Sequence, residues 1–265
     1  MKITAMVENT SDSEAKAVHG LSLYVETPKK KILFDVGSDN TLFENGETLG
    51  IDLLGIDAVI ISHGHRDHGG ALEQFLKLNH NASVYIQRKA FENHYSKSGF
   101  LRAKANIGLA SHLRSHPQVI LTDGDYVIDD ELLLFTTPHI EKFKSTANRT
   151  LFTDFGRDDF THEQNLMVLG DVNVLILGCG HAGLVNILER AEEYKPRVCI
   201  GGYHLWNPNT NKTVSDKLLS GIAGEVAKYG LRFYTCHCTG AKAYGYLAER
   251  VAEMSYLKCG ETIEI

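Results

Sequence analysis

Short apolar runs recur along the chain, and several stop at a glycine- or histidine-bearing motif. Residues 3–7 read as a strand. Residues 21–26 and 31–35 read as a hairpin about the turn Pro28-Lys29-Lys30. The run 57–61, with its partly β-branched end, has the pattern of a buried strand, and the apolar-periodic segment 71–76 that of a helix. A strand at 83–86 and a helix from Arg88 to about Tyr95 follow, then a hairpin of 126–128 with 132–135. From there the pattern is strand then helix. Strands are expected at 165–168, 172–177, 198–202 and 231–235, and helices at 183–193, 217–229 and 241–253. Residues 39–46 read as a polar loop, 96–116 as an insertion near the mouth of a site, and 141–165 as a loop or lid. This order predicts an α/β protein built as an αββα sandwich, with residues 1–265 forming one domain.

Composition narrows the class. Hydrophobic residues make up 43% and charged residues 23% of 265, the balance of a soluble globular chain. No window approaches the roughly 18 apolar residues of a membrane span. Residues 1–8 lack the features of a signal peptide, so a cytoplasmic protein with no membrane association is expected. The five cysteines are odd in number and include no Cys-x-x-Cys pair, which argues against a disulfide framework. Cys199 lies inside a strand-like run, and alternation puts Cys236 and Cys238 on the face opposite His237, so all three are expected in the core. A net charge of −6 disfavours nucleic acid as a partner. Arg88, Lys89, Lys97, Arg102, Lys104 and Arg114, with Glu92 the only acid among them, form either a patch for a small anionic substrate or a solvated face. A homo-oligomer is compatible with all of this.

The chemistry is concentrated in Ser62-His63-Gly64-His65-Arg66-Asp67-His68-Gly69-Gly70. In an extended turn His63 and His65 project to one side, and Asp67 and His68 follow one short turn later. Imidazole with carboxylate suits zinc, and also iron or manganese. The loop ends a buried strand, where open α/β sheets place their sites. His181 and His237 follow apolar runs and precede a glycine and a helix, so they are candidate ligands of one or two divalent ions. His139, after Thr137-Pro138, is a weaker candidate. His204, after Gly201-Gly202-Tyr203, is expected at the substrate. His19, His80, His94, His112, His116 and His162 are expected at the surface.

His63-x-His65-x-Asp67-His68 resembles the signature of the metallo-β-lactamase fold superfamily, mostly dinuclear metal hydrolases. Phe34-Asp35-Val36-Gly37 is similar to the superfamily's upstream aspartate motif, which implies that Asp35 supports a ligand histidine. Gly178-Cys179-Gly180-His181, Gly202-Tyr203-His204-Leu205 and His237-Cys238-Thr239-Gly240 together resemble the subgroup named for dihydropterin-ribofuranosylaminobenzene phosphate synthase. That resemblance implies two similar halves and His237 as the last ligand. The chain departs from the pattern after 172–177, where many dinuclear members carry a bridging aspartate. Here His181 or Cys179 would take its place, or the second ion would be weakly held. The expected function is hydrolysis of a small, phosphorylated ester-type substrate through metal-bound hydroxide, with Asp67 and His204 as the catalytic residues. The alternatives are a pterin-type transferase, and a non-enzymatic metal or redox sensor using Cys236-His237-Cys238.

Overall fold

The computed structural model describes residues 1–98, 103–138 and 142–265. It is a mixed α/β structure that divides into two compact units. The first comprises Met1–Asn93, Ile107–Gly124 and Leu257–Ile265, and the second His94–Asn106 and Asp125–Tyr256.

In the first unit a seven-stranded sheet runs in the order Thr262–Glu264, Lys2–Val7, Ser22–Glu26, Lys31–Phe34, Ala58–Ile61, Ser83–Gln87, Val119–Thr122. The hairpin half is antiparallel, and from Lys31–Phe34 onward the neighbours are parallel. Ala58–Ile61 is buried on both faces, as its uninterrupted apolar run requires. The helices Thr41–Leu49 and Leu72–Leu78 contribute Leu42, Leu72, Phe75 and Leu76 to this unit's core.

Two segments differ from expectation. Residues 39–46 are not a loop, because the helix Thr41–Leu49 begins within them. Its inward face includes polar Thr41 and Asn45, which hides the apolar period. Asn45 is buried because its amide donates to the Met6 and Lys16 carbonyls, at 2.7 and 2.9 Å. The helix expected from Arg88 shrinks to one 3₁₀ turn, Arg88–Phe91, where the Gln87 side chain accepts from Lys89 N at 2.6 Å.

The second unit carries a seven-stranded sheet in the order Met254–Tyr256, Arg232–Thr235, Val198–Gly201, Val174–Leu177, Gln164–Val168, Leu132–Thr136, Tyr126–Val127. Its first four strands are parallel and in register, so that Leu177, Gly201 and Thr235 lie side by side. The helices Leu184–Ala191, Asp216–Val226 and Ala241–Ala248 pack their apolar faces around Phe233, Leu219 and Leu247. A smaller sheet is made by Gly156–Arg157, Leu151–Thr153, His94–Ser98 and Ala103–Asn106. Part of 141–165, read as a loop or lid, is therefore strand, and 96–116, read as an insertion, contributes strand to the same sheet. Their alternation is masked by His94, Lys97 and Lys104, and the last two lie over the Phe152 and Tyr95 rings.

The parallel register has a steric consequence. Gly201 has φ +140°, and a Cβ there would sit 2.0 Å from the Leu177 carbonyl oxygen. Both groups are backbone, so neither can yield. Gly201→Ala is expected to destabilise the fold by about 3 kcal/mol or more, seen as a lower urea midpoint at unchanged slope. An unchanged midpoint would contradict this packing.

Candidate metal centre

Two parallel strand ends build the first group of ligands. Lys31–Phe34 pairs with Ala58–Ile61, so Asp35 and Ser62 emerge next to one another. Asp35 is fully buried in a left-handed conformation, φ 62°. Its Oδ1 accepts from Ser62 N at 2.7 Å, and its Oδ2 accepts from Ser62 Oγ at 2.7 Å and His68 Nδ1 at 2.6 Å. With its proton committed to Asp35, the Ser62 hydroxyl accepts from His63 Nδ1 at 2.8 Å. These bonds assign the protons of His63 and His68 to Nδ1 and leave Nε2 of each as a lone pair. A carboxylate that orients a ligand histidine through its far nitrogen is the usual support of a metal site.

His63, His65 and His68 are buried together. The His63 ring lies 4.5 Å from His65 and 4.1 Å from His68, centroid to centroid. His63 Nε2 and His65 Nδ1 are 3.0 Å apart. That spacing allows a hydrogen bond, and it is also near the about 3.3 Å edge of a tetrahedron around an ion bonded at roughly 2.0–2.1 Å. The donor set and its spacing therefore fit a divalent ion. Asp67 sits on the short helix Arg66–Gly69, with Oδ2 3.2 Å from His19 Nε2 and 3.8 Å from His68 Nε2. The glycine pair that closes the motif is steric in origin. A Cβ at Gly70 would fall 2.3 Å from Ser38 O and 2.5 Å from Arg66 O.

In the second unit the aligned strand ends carry the three remaining motifs. His204 and His237 both adopt left-handed backbone, φ 45° and 50°, strain of the kind that gathers at functional turns. His181 is fully buried, its Nδ1 2.9 Å from Asn148 Oδ1. Because an amide oxygen only accepts, His181 carries its proton on Nδ1 and its lone pair on Nε2. Phe160 stacks on its ring at 4.4 Å and 8°, and His204 lies 4.2 Å away. Among the described residues, neither ring nitrogen of His204 has a hydrogen-bond partner. One of them lies within 4.8 Å of the Cys179 and Cys238 sulfurs. The expectation of core burial holds for Cys199, Cys236 and Cys238, and all five cysteines are free and buried. Cys238 does more than pack: its sulfur accepts from His204 N at 3.2 Å.

Glu163 escaped the sequence reading. Its two oxygens accept from His181 N at 2.7 Å and Ala182 N at 2.8 Å, which pins the turn that presents His181. Burial pushes its carboxyl up to about 7, against the pull of those two hydrogen bonds. A carboxyl raised on folding binds its proton more tightly in the folded chain than in the unfolded one. Its contribution is present below pH 4.5 and is lost as the pH rises toward about 7. The loss amounts to roughly 3 kcal/mol at about 1.4 kcal/mol per unit. Glu163→Gln is expected to remove that decline from a urea-stability profile of the metal-free protein. Parallel profiles for the two proteins would contradict it.

Two histidines expected at the surface are buried instead. His94 is 1% and His162 2% exposed, both against Asp158. Their polar sequence context reflects a buried polar cluster rather than solvent. His139 and Arg102 lie outside the described residues.

The profile of the metallo-beta-lactamase superfamily matches residues 15–183. The chain belongs to the metallo-β-lactamase superfamily. Its α/β architecture is that superfamily's fold, and the superfamily's members bind divalent metals. The crystal structure of Tm1679, described as a metal-dependent hydrolase of the β-lactamase superfamily, superposes with a TM-score of 0.82 at 25% identity, covering 100% of this chain and 99% of that one. In Methanocaldococcus jannaschii, the 7,8-dihydropterin-6-methyl-4-(β-D-ribofuranosyl)-aminobenzene-5'-phosphate synthase is 27% identical over 263 residues, 89% of this chain and 85% of the relative. An uncharacterized protein of the same organism is 26% identical over 255 residues, 93% of this chain and 94% of its own length. Among the described residues, no helix is long and apolar enough to cross a membrane.

Proposed function

We propose that this superfamily member is a metal-dependent hydrolase of a small, anionic, phosphorylated ester, with His63, His65, Asp67, His68, His181 and His237 as the ligands of one or two divalent ions. The observation that carries this reading is the buried group His63–His65–His68, in which Ser62 and Asp35 set the lone pairs of His63 and His68. Zinc suits the imidazole-rich set, and iron and manganese are accommodated by the same donors. Bound there, such an ion lowers the pKa of a coordinated water toward about 7 and polarises the scissile oxygen.

The protein's own groups then have separate tasks. Asp67 is half-buried beside the imidazoles, so its carboxylate can hold a proton of the attacking water and still face substrate. His204, whose ring nitrogens meet no hydrogen-bond partner among the described residues, serves as donor to the developing oxyanion. The lysines and arginines of 86–116 supply positive charge for a phosphate group. A cytoplasmic setting belongs to the same reading.

The likeness to a synthase gives a second reading, joining of an aminobenzene riboside phosphate to a pterin diphosphate with loss of the diphosphate from the pterin, on the same ligands. Product analysis separates the two, because the transferase consumes two organic substrates and the hydrolase one plus water. The ligand assignment is tested by metal content per chain in wild type and His181→Ala after purification without added metal. Loss of at least one ion supports it. Unchanged content removes His181 from the centre.

A further inference from the structure

His94, Asp158 and His162 belong to none of the strand-end motifs, yet the smaller sheet and the turn that follows it bring them together. His94 opens the strand His94–Ser98, opposite Thr153 of the antiparallel partner Leu151–Thr153. The hairpin to Gly156–Arg157 then returns the chain, and Asp158 N donates to Leu151 O at 3.2 Å. Phe160 takes a left-handed conformation, φ 59°. Its N–H donates to Asp158 Oδ1 at 2.8 Å, and its carbonyl accepts from Glu163 N at 2.9 Å. A β-carbon residue held at that φ marks a turn imposed by its surroundings. The turn swings His162 back onto Asp158.

One carboxylate oxygen, Asp158 Oδ2, consequently faces His94 Nδ1 at 3.0 Å and His162 Nε2 at 3.2 Å. The two rings lie 4.0 Å apart, and all three residues are buried. Among the described residues, these imidazoles are the only ion-pair partners of Asp158, with no lysine or arginine beside it. Burial would raise the Asp158 carboxyl, but the hydrogen bonds from His162 and His94 outweigh it and hold the group well below the usual carboxylate range. Burial also lowers His162, which favours the neutral ring. The group is thus a buried anion between two imidazoles.

We propose that His94, Asp158 and His162 bind a divalent cation through a two-imidazole, one-carboxylate donor set. The donor separations of 3.0 and 3.2 Å are already close to the about 3.3 Å edge of a tetrahedral site with bonds of roughly 2.0–2.1 Å. Binding requires each neutral ring to shift its proton to the other nitrogen, so the cation meets two lone pairs and a negative oxygen. The donor types suit zinc, and equally ferrous or manganous ions.

The test is Zn²⁺ alone, in a His63→Ala/His68→Ala/His181→Ala/His237→Ala background, which removes four of the ligand histidines assigned above. That protein is expected to retain one Zn²⁺ per chain after desalting and to melt at a higher temperature when Zn²⁺ is added. Adding Asp158→Asn, which keeps the side-chain shape and the bond from Phe160 N, is expected to abolish the retained ion and the thermal shift. His94→Gln/His162→Gln in the same background is expected to do the same. Circular dichroism of each variant without metal confirms that it is folded. A thermal shift and ion count that persist through Asp158→Asn, or that are absent before it is introduced, overturn the proposal.

Discussion

Asp67→Asn is expected to lower kcat/KM for ester hydrolysis by about 10²–10⁴, the usual worth of a positioned proton acceptor. The substitution keeps the side chain's size and its place on the helix Arg66–Gly69. What it removes is the negative charge that faces His19 at 3.2 Å and His68 at 3.8 Å, and with it the ability to take a proton. His63 and His65 are untouched, so metal at their position persists. Kinetics on protein of measured metal content give the result directly. An Asp67→Asn enzyme with wild-type kcat/KM would mean that Asp67 neither ligates nor handles protons.

The second large effect concerns a residue that touches no substrate. Asp35→Ala removes the acceptor of three buried hydrogen bonds, from Ser62 N, Ser62 Oγ and His68 Nδ1. Leaving those buried donors unsatisfied costs about 1–3 kcal/mol each. It also frees the His68 ring from its tautomer, so metal affinity is expected to fall by about 10–100-fold. Asp35→Asn should lie between, because its amide oxygen still serves one donor. Chelator competition and urea titration read the two effects separately. Loss of stability without loss of affinity would make Asp35 a packing residue only.

Much of this was legible in the chain because strand ends are. Apolar runs 57–61, 172–177, 198–202 and 231–235 each stop at a histidine-bearing motif, and parallel register aligns those of the second unit. The glycines of the motifs were legible for the same reason, as Gly70 and Gly201 abut backbone carbonyls. Less visible were elements whose inward faces are polar. Asn45 looks like a loop residue until the Met6 and Lys16 carbonyls are seen to receive its amide. His94 and His162 looked solvated because their sequence neighbours are polar, whereas their partner Asp158 is far from His94 in the chain. Asn148 and Glu163, which fix the His181 ring and turn, carry no local pattern at all. Such contacts depend on tertiary pairing, and no period of 2 or 3.6 records them.

The central claim is that hydrolysis here depends on a divalent ion at the His63 cluster. The measurement that tests it most directly is the hydrolysis rate of chelator-stripped protein reloaded stepwise with Zn²⁺, on a phosphodiester, a phosphomonoester and a lactone. The account predicts background rates when stripped and, for at least one substrate, a rise with loading to a plateau that His63→Ala/His65→Ala does not reach. Background rates for all three at full loading, or equal rates with and without metal, would contradict it.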